Sequence, residues 1–252
     1  MAGSAQVRGR VAEVFRSWQG EAGLLGQRQV FVRLAGCDVG CRYCDTEWAF
    51  QAPAAVPVPG ASGERVENPL SAEQVAALVA AADPPEEGRP LAPVSLTGGE
   101  PLEQPDFVEA LLNALAPREV MLETAGLHGE ALARLGPRVR WVSCDVKLPS
   151  SSAVPDALAR TEAALSTGWL GSVETWFKLV VDGDTSVDEV AAVAALLRRQ
   201  APGQRVFLQP VTPLGGSPAV PRERLDAFAD ALELAGLPVR VVPQVHKLLK
   251  VR

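Results

Sequence analysis

The feature that most constrains the fold is a regular alternation of short apolar runs with helix-like segments. Seven apolar runs have the character of β-strands: residues 29–36, 92–98, 119–125, 138–146, 175–183, 204–211 and 239–244. Helical patterns lie between them, at about 71–82, 105–116, 128–135, 155–166, 186–200 and 221–235. This alternation indicates a parallel sheet wound by right-handed crossovers. About six such units are too few for a closed eight-stranded barrel. We therefore expect an α/β fold, a partial (β/α)6-type TIM-like barrel, with its site at the carboxyl ends of the strands.

One domain is expected to account for the whole chain, residues 1–252. The sequence is 47% apolar, which is enough for one large core, and no shift in composition marks a second domain. The segment 51–69 is rich in proline, glycine and alanine and has neither helical nor strand periodicity. We expect it to be a flexible surface insertion loop.

The composition argues against several classes of function. The formal net charge of −6 argues against binding of nucleic acid by charge. No run of about 18 apolar residues exists, so no membrane span is expected. The opening stretch MAGSAQVRGRVAEVF lacks the apolar region of a secretory signal, which favours a cytoplasmic protein. In that compartment, neighbouring cysteines indicate metal or redox chemistry more often than disulfides.

Three of the four cysteines lie close together, in the segment CDVGCRYCDT. Cys37, Cys41 and Cys44 follow the predicted strand 29–36, where a loop can aim three thiols at one point. One interpretation is an iron–sulfur cluster held by thiolates. With three protein ligands, a [4Fe–4S] cluster keeps one iron open, and that iron can bind a substrate or a cofactor directly.

The clustered thiols are also compatible with a different kind of site. A structural zinc site would need a fourth ligand, for which Cys144, His128 and His246 are the candidates. A disulfide would use only two of the three thiols, and burial as small apolar residues does not account for the clustering. Cys144 lies within a predicted strand and is expected to be a buried core residue.

The cysteine spacing and a second motif together resemble the radical S-adenosylmethionine (SAM) superfamily. The second motif is TGGEP, Thr97–Pro101, at the end of the next predicted strand. Tyr43 occupies the position in the last CxxC that is usually aromatic. The resemblance implies the barrel of that superfamily and a [4Fe–4S] cluster. Its open iron would bind the amino and carboxylate groups of SAM.

Further segments are similar to one family of that superfamily, the 7-carboxy-7-deazaguanine synthases. They follow in the family's order along the chain: 13–37, 44–46, 96–101, 122–126, 143–149, 177–181, 208–210 and 243–252. The resemblance implies that 6-carboxy-5,6,7,8-tetrahydropterin is converted to 7-carboxy-7-deazaguanine, a precursor of queuosine and related 7-deazapurines. Such an enzyme is a carbon–nitrogen lyase. A 5′-deoxyadenosyl radical removes the hydrogen at C6, the ring contracts and ammonia leaves.

The same resemblance assigns site residues by matching positions, with no catalytic side chain beyond the cluster and SAM. The metal ligands would be Cys37, Cys41 and Cys44 for the cluster and Thr46 for Mg²⁺, with Asp45 as a less favoured alternative. The substrate contacts would be Trp18, Gln19, Gly20, Glu21, Arg33, Thr97, Glu123, His246 and the main-chain carboxylate of Arg252. The SAM contacts would be Tyr43, Gly98, Gly99, Glu100, Ser143, Lys147, Gln209, Pro210, Val211 and Thr212.

Some of these residues have a physical rationale and a structural alternative. Arg33 lies within a strand, where a guanidinium must be paired, either with the substrate carboxylate or with an acid on a neighbouring strand. Glu21 and Glu123 can accept hydrogen bonds from the 2-aminopyrimidinone edge of a pterin. The alternatives are a solvated loop acid for Glu21 and a strand-end acid facing a lysine for Glu123. His246 would hydrogen-bond the pterin or pack against the end of the chain.

The family resemblance also implies partners. They are the pterin, a small reductant such as flavodoxin and a second copy of the chain in a homodimer. Two other functions compete with this one. One is a different radical SAM activity, such as an activating enzyme that makes a glycyl radical on a protein chain. The other is a zinc-bound structural module.

Overall fold

An eight-stranded sheet dominates the computed structural model, which describes residues 6–213 and 220–251. The strands are β1 Arg8–Gly9, β2 Val11–Trp18, β3 Arg28–Leu34, β4 Ala55–Pro57, β5 Arg65–Glu67, β6 Leu70–Ser71, β7 Val94–Gly98, β8 Val120–Thr124, β9 Trp141–Asp145, β10 Glu174–Val181, β11 Val206–Pro210 and β12 Val239–Val241. The order in the main sheet is β12-β11-β10-β9-β8-β7-β3-β2. Neighbouring strands from β3 to β12 pair in parallel, and β2 pairs antiparallel to β3 at one edge.

Helices connect the parallel strands in the predicted way. They are α1 Ala72–Ala82, α2 Pro105–Leu115, α3 Gly129–Leu135, α4 Ala157–Leu165, α5 Val187–Gln200, α6 Arg222–Leu234 and α7 Val245–Leu249. Each of the first six lies between two consecutive parallel strands of the main sheet. The prediction of six strand–helix units in a partial TIM-like barrel is therefore confirmed.

Alternation along each strand separates the core from the inside of the barrel. On β10, Phe177 and Leu179 pack into the main apolar core, whereas Trp176, Lys178 and Val180 point to the other face. The same period of two follows from strand geometry in every parallel strand. The inward face is apolar at the amino ends of the strands and becomes polar toward their carboxyl ends.

Large apolar side chains close the base of the barrel. The buried members of this base are Ala22, Met121, Trp141, Trp176, Phe207 and Val242. The rings of Trp176 and Phe207 meet edge to face, with 6.4 Å between their centroids. Gly23 allows the turn after β2 to reach this base, because a Cβ there would lie 2.7 Å from the ring of Trp176.

The end of the chain contacts the turn after β2, on the open side of the barrel. The backbone N–H of Val245 at the start of α7 donates to the carbonyl oxygen of Gly20, at 3.0 Å. Glycine is required at that point, since a Cβ on Gly20 would lie 2.4 Å from Nδ1 of His246. The segment that follows β12 therefore reaches the turn after the strand at the opposite edge of the sheet.

Two parts of the fold differ from the prediction. Strand β2 is absent from the predicted strands, because Glu13 and Arg16 interrupt its apolar pattern. The segment 51–69 contains the hairpin β4–β5, so the expectation of no strand in it was wrong. Asn68 ties this segment down: its side chain donates to the carbonyl oxygens of Val11 and Pro53. The flexibility of the segment stays a prediction. Within the described residues, no helix combines the length and apolar character that a membrane crossing needs.

Candidate active site

One cavity lies at the carboxyl ends of the parallel strands, with a volume of about 210 Å³. Most of the predicted site residues line it. They are Trp18, Gln19, Gly20, Glu21, Arg33, Cys37, Cys41, Tyr43, Cys44, Thr46, Thr97, Gly98, Gly99, Glu100, Glu123, Ser143, Lys147, Gln209 and His246. Strand ends distributed along the whole sheet thus contribute to a single concave site.

A few predicted site residues lie elsewhere. Pro210, Val211 and Thr212 do not line the cavity. Thr212 is buried, and its backbone N–H donates to the side-chain oxygen of Gln244, at 3.0 Å. These three residues follow Gln209 at the end of β11, so they support the cavity wall from behind. Arg252 lies outside the described residues.

The three loop cysteines share this cavity and carry free thiols. The loop is held from behind by the backbone N–H of Ala153, which donates to the carbonyl oxygens of Val39 and Gly40. Burial raises the pKa of Cys37 to about 11 and also raises the pKa of Cys41. Thiols in this environment become thiolates when a cation compensates their charge. Thiolates are the ligands that a [4Fe–4S] cluster needs, and the three loop cysteines all face this one cavity.

The turn Gly98–Pro101 packs directly against the start of the cysteine loop. The backbone N–H of Glu100 donates to the carbonyl oxygen of Gly36, at 2.8 Å. Gly99 has no room for a side chain, because a Cβ would lie 1.8 Å from that oxygen and 2.9 Å from Cβ of Cys37. Backbone contact of this kind fixes the position of the first cysteine relative to the turn.

The carboxylate of Glu100 is a brace inside the protein. It accepts hydrogen bonds from the backbone N–H groups of Leu102 and Ala125 and from the hydroxyl of Thr124, at 2.7–2.9 Å. Burial raises its pKa. These donors hold the side chain inside the protein, where it supports the turn Gly98–Pro101.

Alternating charges form a buried chain across the cavity floor. Nζ of Lys178 lies 2.6 Å from Oε2 of Glu21 and 3.4 Å from Oδ2 of Asp145. Asp145 in turn lies 2.8 Å from Nζ of Lys147, which donates to the hydroxyl of Tyr43 at 3.2 Å. Burial alone would lower the pKa of both lysines, but the neighbouring carboxylates raise it well above the usual value. The two ammonium groups therefore stay charged.

Three side chains hold Glu21 on the other side of the cavity. Besides the ion pair with Lys178, it accepts a hydrogen bond from Nε2 of Gln244 at 3.1 Å, and Nδ1 of His246 lies 3.9 Å away. Burial opposes ionisation of Glu21, but Lys178 and His246 outweigh it and lower its pKa to about 2. This residue is thus a fixed, ionised carboxylate and not a solvated loop acid.

Glu123 is held by neutral donors, and within the described residues it forms no ion pair. Nε2 of Gln19 donates to it at 2.8 Å, and the hydroxyls of Ser95 and Thr97 donate at 3.1 and 3.3 Å. Three donors around one carboxylate orient its remaining lone pairs toward the cavity. The charge of Glu123 raises the pKa of the nearby Lys178, but no ion pair joins the two in the described part of the chain. The alternative of a strand-end acid facing a lysine therefore describes part of its surroundings.

Arg33 lies in both of the environments considered for it. Its Nε lies 3.0 Å from Oε1 of Glu13 on the neighbouring strand β2, and one terminal nitrogen donates to the carbonyl oxygen of Gly98 at 3.4 Å. The residue also lines the cavity. The ion pair with Glu13 therefore orients a guanidinium that still faces the site.

Comparison with known proteins identifies the family. The Radical SAM superfamily profile matches residues 32–164. The 7-carboxy-7-deazaguanine synthase of Thermococcus kodakarensis is 32% identical over 263 residues, covering 96% of this chain and 98% of that protein. The chain belongs to the 7-carboxy-7-deazaguanine synthase family. A second member, from Methanopyrus kandleri, is 34% identical over 253 residues and covers 95% of this chain and 92% of its own.

A solved structure agrees with this family at the level of the fold. QueE from Escherichia coli superimposes with a TM-score of 0.58 at 20% sequence identity, covering 93% of both chains. Membership in the radical SAM superfamily implies a [4Fe–4S] cluster and SAM, which argues against the alternative of a zinc-bound structural module. Two of the candidates for a fourth zinc ligand do not line the cavity. Cys144 is buried within β9, and His128 lies 3.6 Å from Asp38.

The sequence did not predict several of the residues that line this cavity. The polar ones are Thr124, Asp145, Lys178 and Gln244, and the apolar ones include Phe15, Phe31, Val39, Phe50, Ala125 and Val180. Lys178 lies within a segment, 177–181, that matched the family, and strand alternation from Trp176 would have pointed it inward. The missing information was which face of the strand is the inside.

Two buried polar groups in this cavity lack protein partners among the described residues. Both side-chain atoms of Gln209 and atom Oδ1 of Asp145 have no hydrogen-bond partner there. Buried polar atoms of this kind are costly unless something else satisfies them. In a SAM-binding family, these atoms are candidates for contacts with the bound cofactor.

Asp45 is engaged by the end of the chain. Nζ of Lys247 lies 3.0 Å from its carboxylate and Nε2 of His246 lies 3.8 Å away. Burial acts against ionisation of Asp45, but these two groups bring its pKa well below the usual value. By contrast, the hydroxyl of Thr46 contacts Sγ of Cys44, at 3.7 Å, and no charged group in the described part of the chain pairs with it.

Replacing Gly99 with alanine is expected to prevent formation of the cluster. The new Cβ would overlap the carbonyl oxygen of Gly36, so either the turn or the cysteine loop must move. Iron and sulfide content after anaerobic reconstitution measures the effect, and we expect most of the iron to be lost. Gly183→Ala is the matched control, because a Cβ there meets no atom within 4 Å. Equal iron content in the two variants would contradict this prediction.

Proposed function

We propose that this protein converts 6-carboxy-5,6,7,8-tetrahydropterin to 7-carboxy-7-deazaguanine in 7-deazapurine biosynthesis, as a SAM-dependent carbon–nitrogen lyase. The observation that carries the proposal is its similarity, over nearly the full length of both chains, to proteins with this name. The arrangement of the cavity supports it, since three thiols face the same space as two oriented carboxylates and an arginine.

The proposed substrate suits the fixed charges of the cavity. The pyrimidinone edge of the pterin presents several N–H donors, and Glu21 and Glu123 are both oriented acceptors. The carboxylate of the pterin suits the guanidinium of Arg33, which can bind it through two parallel hydrogen bonds. His246 lies beside Glu21 and extends the same wall. These contacts would hold C6 of the ring toward the cysteine loop.

The cofactors would occupy the remaining part of the cavity. When bound, a reduced [4Fe–4S] cluster and SAM supply the radical that removes the hydrogen at C6. Cys37, Cys41 and Cys44 would hold the cluster. The partnerless amide of Gln209 and the chain Asp145–Lys147 would orient SAM. The apolar base of the barrel excludes water from this space on the side away from its mouth.

The proposal includes further properties that are expected of the family. They are a Mg²⁺ ion bound through Thr46, a small electron donor such as flavodoxin, a homodimer, a cytoplasmic location and substrate contact by the carboxylate of Arg252. Thr46 is favoured over Asp45 as the metal ligand because Asp45 already pairs with Lys247. An Mg²⁺ ion held by one hydroxyl would complete its coordination with substrate oxygens and water.

A direct assay tests the proposed function. The anaerobically reconstituted protein is incubated with 6-carboxy-5,6,7,8-tetrahydropterin, SAM, Mg²⁺ and dithionite, and the product is identified by mass spectrometry. We expect 7-carboxy-7-deazaguanine and ammonia. Cys44→Ala is expected to lose iron and activity, whereas Cys144→Ala, with a cysteine removed outside the loop, is expected to keep both. Absence of product from an iron-loaded protein would refute the proposal.

Replacing Thr46 with alanine is expected to leave the cluster intact and to remove most of the stimulation by Mg²⁺. The reason is the loss of the hydroxyl that is proposed to bind the ion. Product formation is measured against Mg²⁺ concentration, with the iron content determined on the same samples. Thr46→Ser keeps the hydroxyl and is expected to restore the stimulation. Unchanged Mg²⁺ dependence in the alanine variant would show that the metal has other ligands.

Replacing Arg33 with methionine is expected to raise KM for the pterin by about 10- to 100-fold, as loss of a charge-assisted hydrogen bond predicts. SAM binding, measured by calorimetry, is expected to persist. Arg134→Met removes an exposed guanidinium from α3 and is the matched control. If SAM affinity falls and the KM for the pterin does not change, Arg33 serves the cofactor.

A further inference from the structure

Lys178 occupies a position that the family pattern does not assign. It lies in the middle of β10, on the inward face between the apolar base at Trp176 and Val180 nearer the mouth. Its side chain is 12% exposed. A buried ammonium group is costly unless carboxylates compensate its charge, so its presence in the centre of the cavity needs a reason.

Both neighbours of Lys178 belong to the candidate site, on different sides of it. Glu21 follows β2, on the side where the pterin would bind, and lies 2.6 Å from Nζ. Asp145 ends β9, lies 3.4 Å from Nζ and pairs with Lys147 on the side where SAM would bind. Lys178 is therefore the link between the two halves of the cavity floor.

Removing this ammonium would leave two buried carboxylates without their shared cation. Glu21 would keep only the hydrogen bond from Gln244 and the more distant His246. Asp145 would keep its pair with Lys147. Lys178, at 2.6 Å, is closer to the Glu21 carboxylate than His246, at 3.9 Å, and is therefore its main counter-charge.

We propose that Lys178 is a positioning residue that keeps the Glu21 carboxylate charged and fixed for the N–H donors of the pterin, and that Asp145 anchors it. This inference rests on the proposed function, because it takes Glu21 as an acceptor for the pyrimidinone edge. An ionised carboxylate can accept two hydrogen bonds from that edge. A protonated one turns one of its oxygens into a donor that faces another donor.

The proposal has a pH-dependent consequence whose sign is fixed. With Lys178 present, the pKa of Glu21 is about 2, so the carboxylate is ionised throughout the range in which the enzyme can be handled. Without Lys178, burial raises that pKa. Affinity for the pterin then falls as the pH falls through the raised pKa, by about tenfold for each pH unit below it.

Other titratable groups near this pair are accounted for by comparison between variants. His246 on α7 faces Glu21, and Asp145 on β9 and Glu123 on β8 face Lys178. These groups and the ligand itself are common to all the proteins compared. A difference between two pH profiles therefore reports the change made at position 178.

The experiment measures pterin binding and not turnover. Anaerobic calorimetry with 6-carboxy-5,6,7,8-tetrahydropterin is run between about pH 5.5 and 8.5 on the reconstituted, SAM-loaded protein. Relative to the wild type, Lys178→Met is expected to lose affinity progressively toward low pH. Lys178→Arg keeps a cation and is expected to follow the wild-type profile. Iron content and circular dichroism check that each variant is folded.

A further pair of variants tests the inference even if Lys178→Met does not fold. Glu21→Gln removes the carboxylate, and its combination with Lys178→Met removes both charges. If Lys178 acts through Glu21, the double variant binds the pterin as weakly as Glu21→Gln alone. A further loss of more than about threefold in the double variant, close to 0.7 kcal/mol, would overturn the proposal.

The outcomes separate this inference from the proposed function. Parallel profiles for the wild type and Lys178→Met, with pterin binding intact, would overturn the role of Lys178 and leave the function standing. A wild-type protein that holds iron and SAM but does not bind the pterin would overturn the proposed function instead.

Discussion

The close contact between the Gly98–Pro101 turn and the start of the cysteine loop governs the rest of the site. Two backbone groups meet there at 2.8 Å, with no space for even a methyl group on Gly99. The contact joins the ends of β3 and β7, which are neighbours in the sheet. The loop itself forms no helix or strand. The position of its thiols therefore depends on this junction and on backbone contacts with residues 151–153.

Charge balance is the second organising principle of the cavity. Glu21, Lys178, Asp145 and Lys147 alternate in sign along the floor, so each buried charge has an opposite neighbour. Buried ion pairs contribute little net stability, because desolvation offsets their attraction. Their value here lies in orientation, since each group can hold one fixed position in a space that must receive charged ligands.

The sequence was sufficient to predict most of the fold and the general place of the site. Short apolar runs that alternate with capped helices specify a parallel sheet, and motifs at the ends of those runs meet at one edge of it. Strand β2 could not be recognised because Glu13 and Arg16 break its pattern while still facing partners in the structure. Asp145 and Lys178 were missed for a related reason. A polar residue within an apolar strand has no distinctive local signal until the inner face of the barrel is known.

The aromatic base of the barrel affects how small molecules can reach the cavity. Trp176, Phe207 and their neighbours fill the inside of the barrel at the amino ends of the strands, so this base closes that end of the described cavity. If SAM and the pterin bind as proposed, neither can reach the cavity through this base. The ligand that lies closer to it would then have to bind first and leave last.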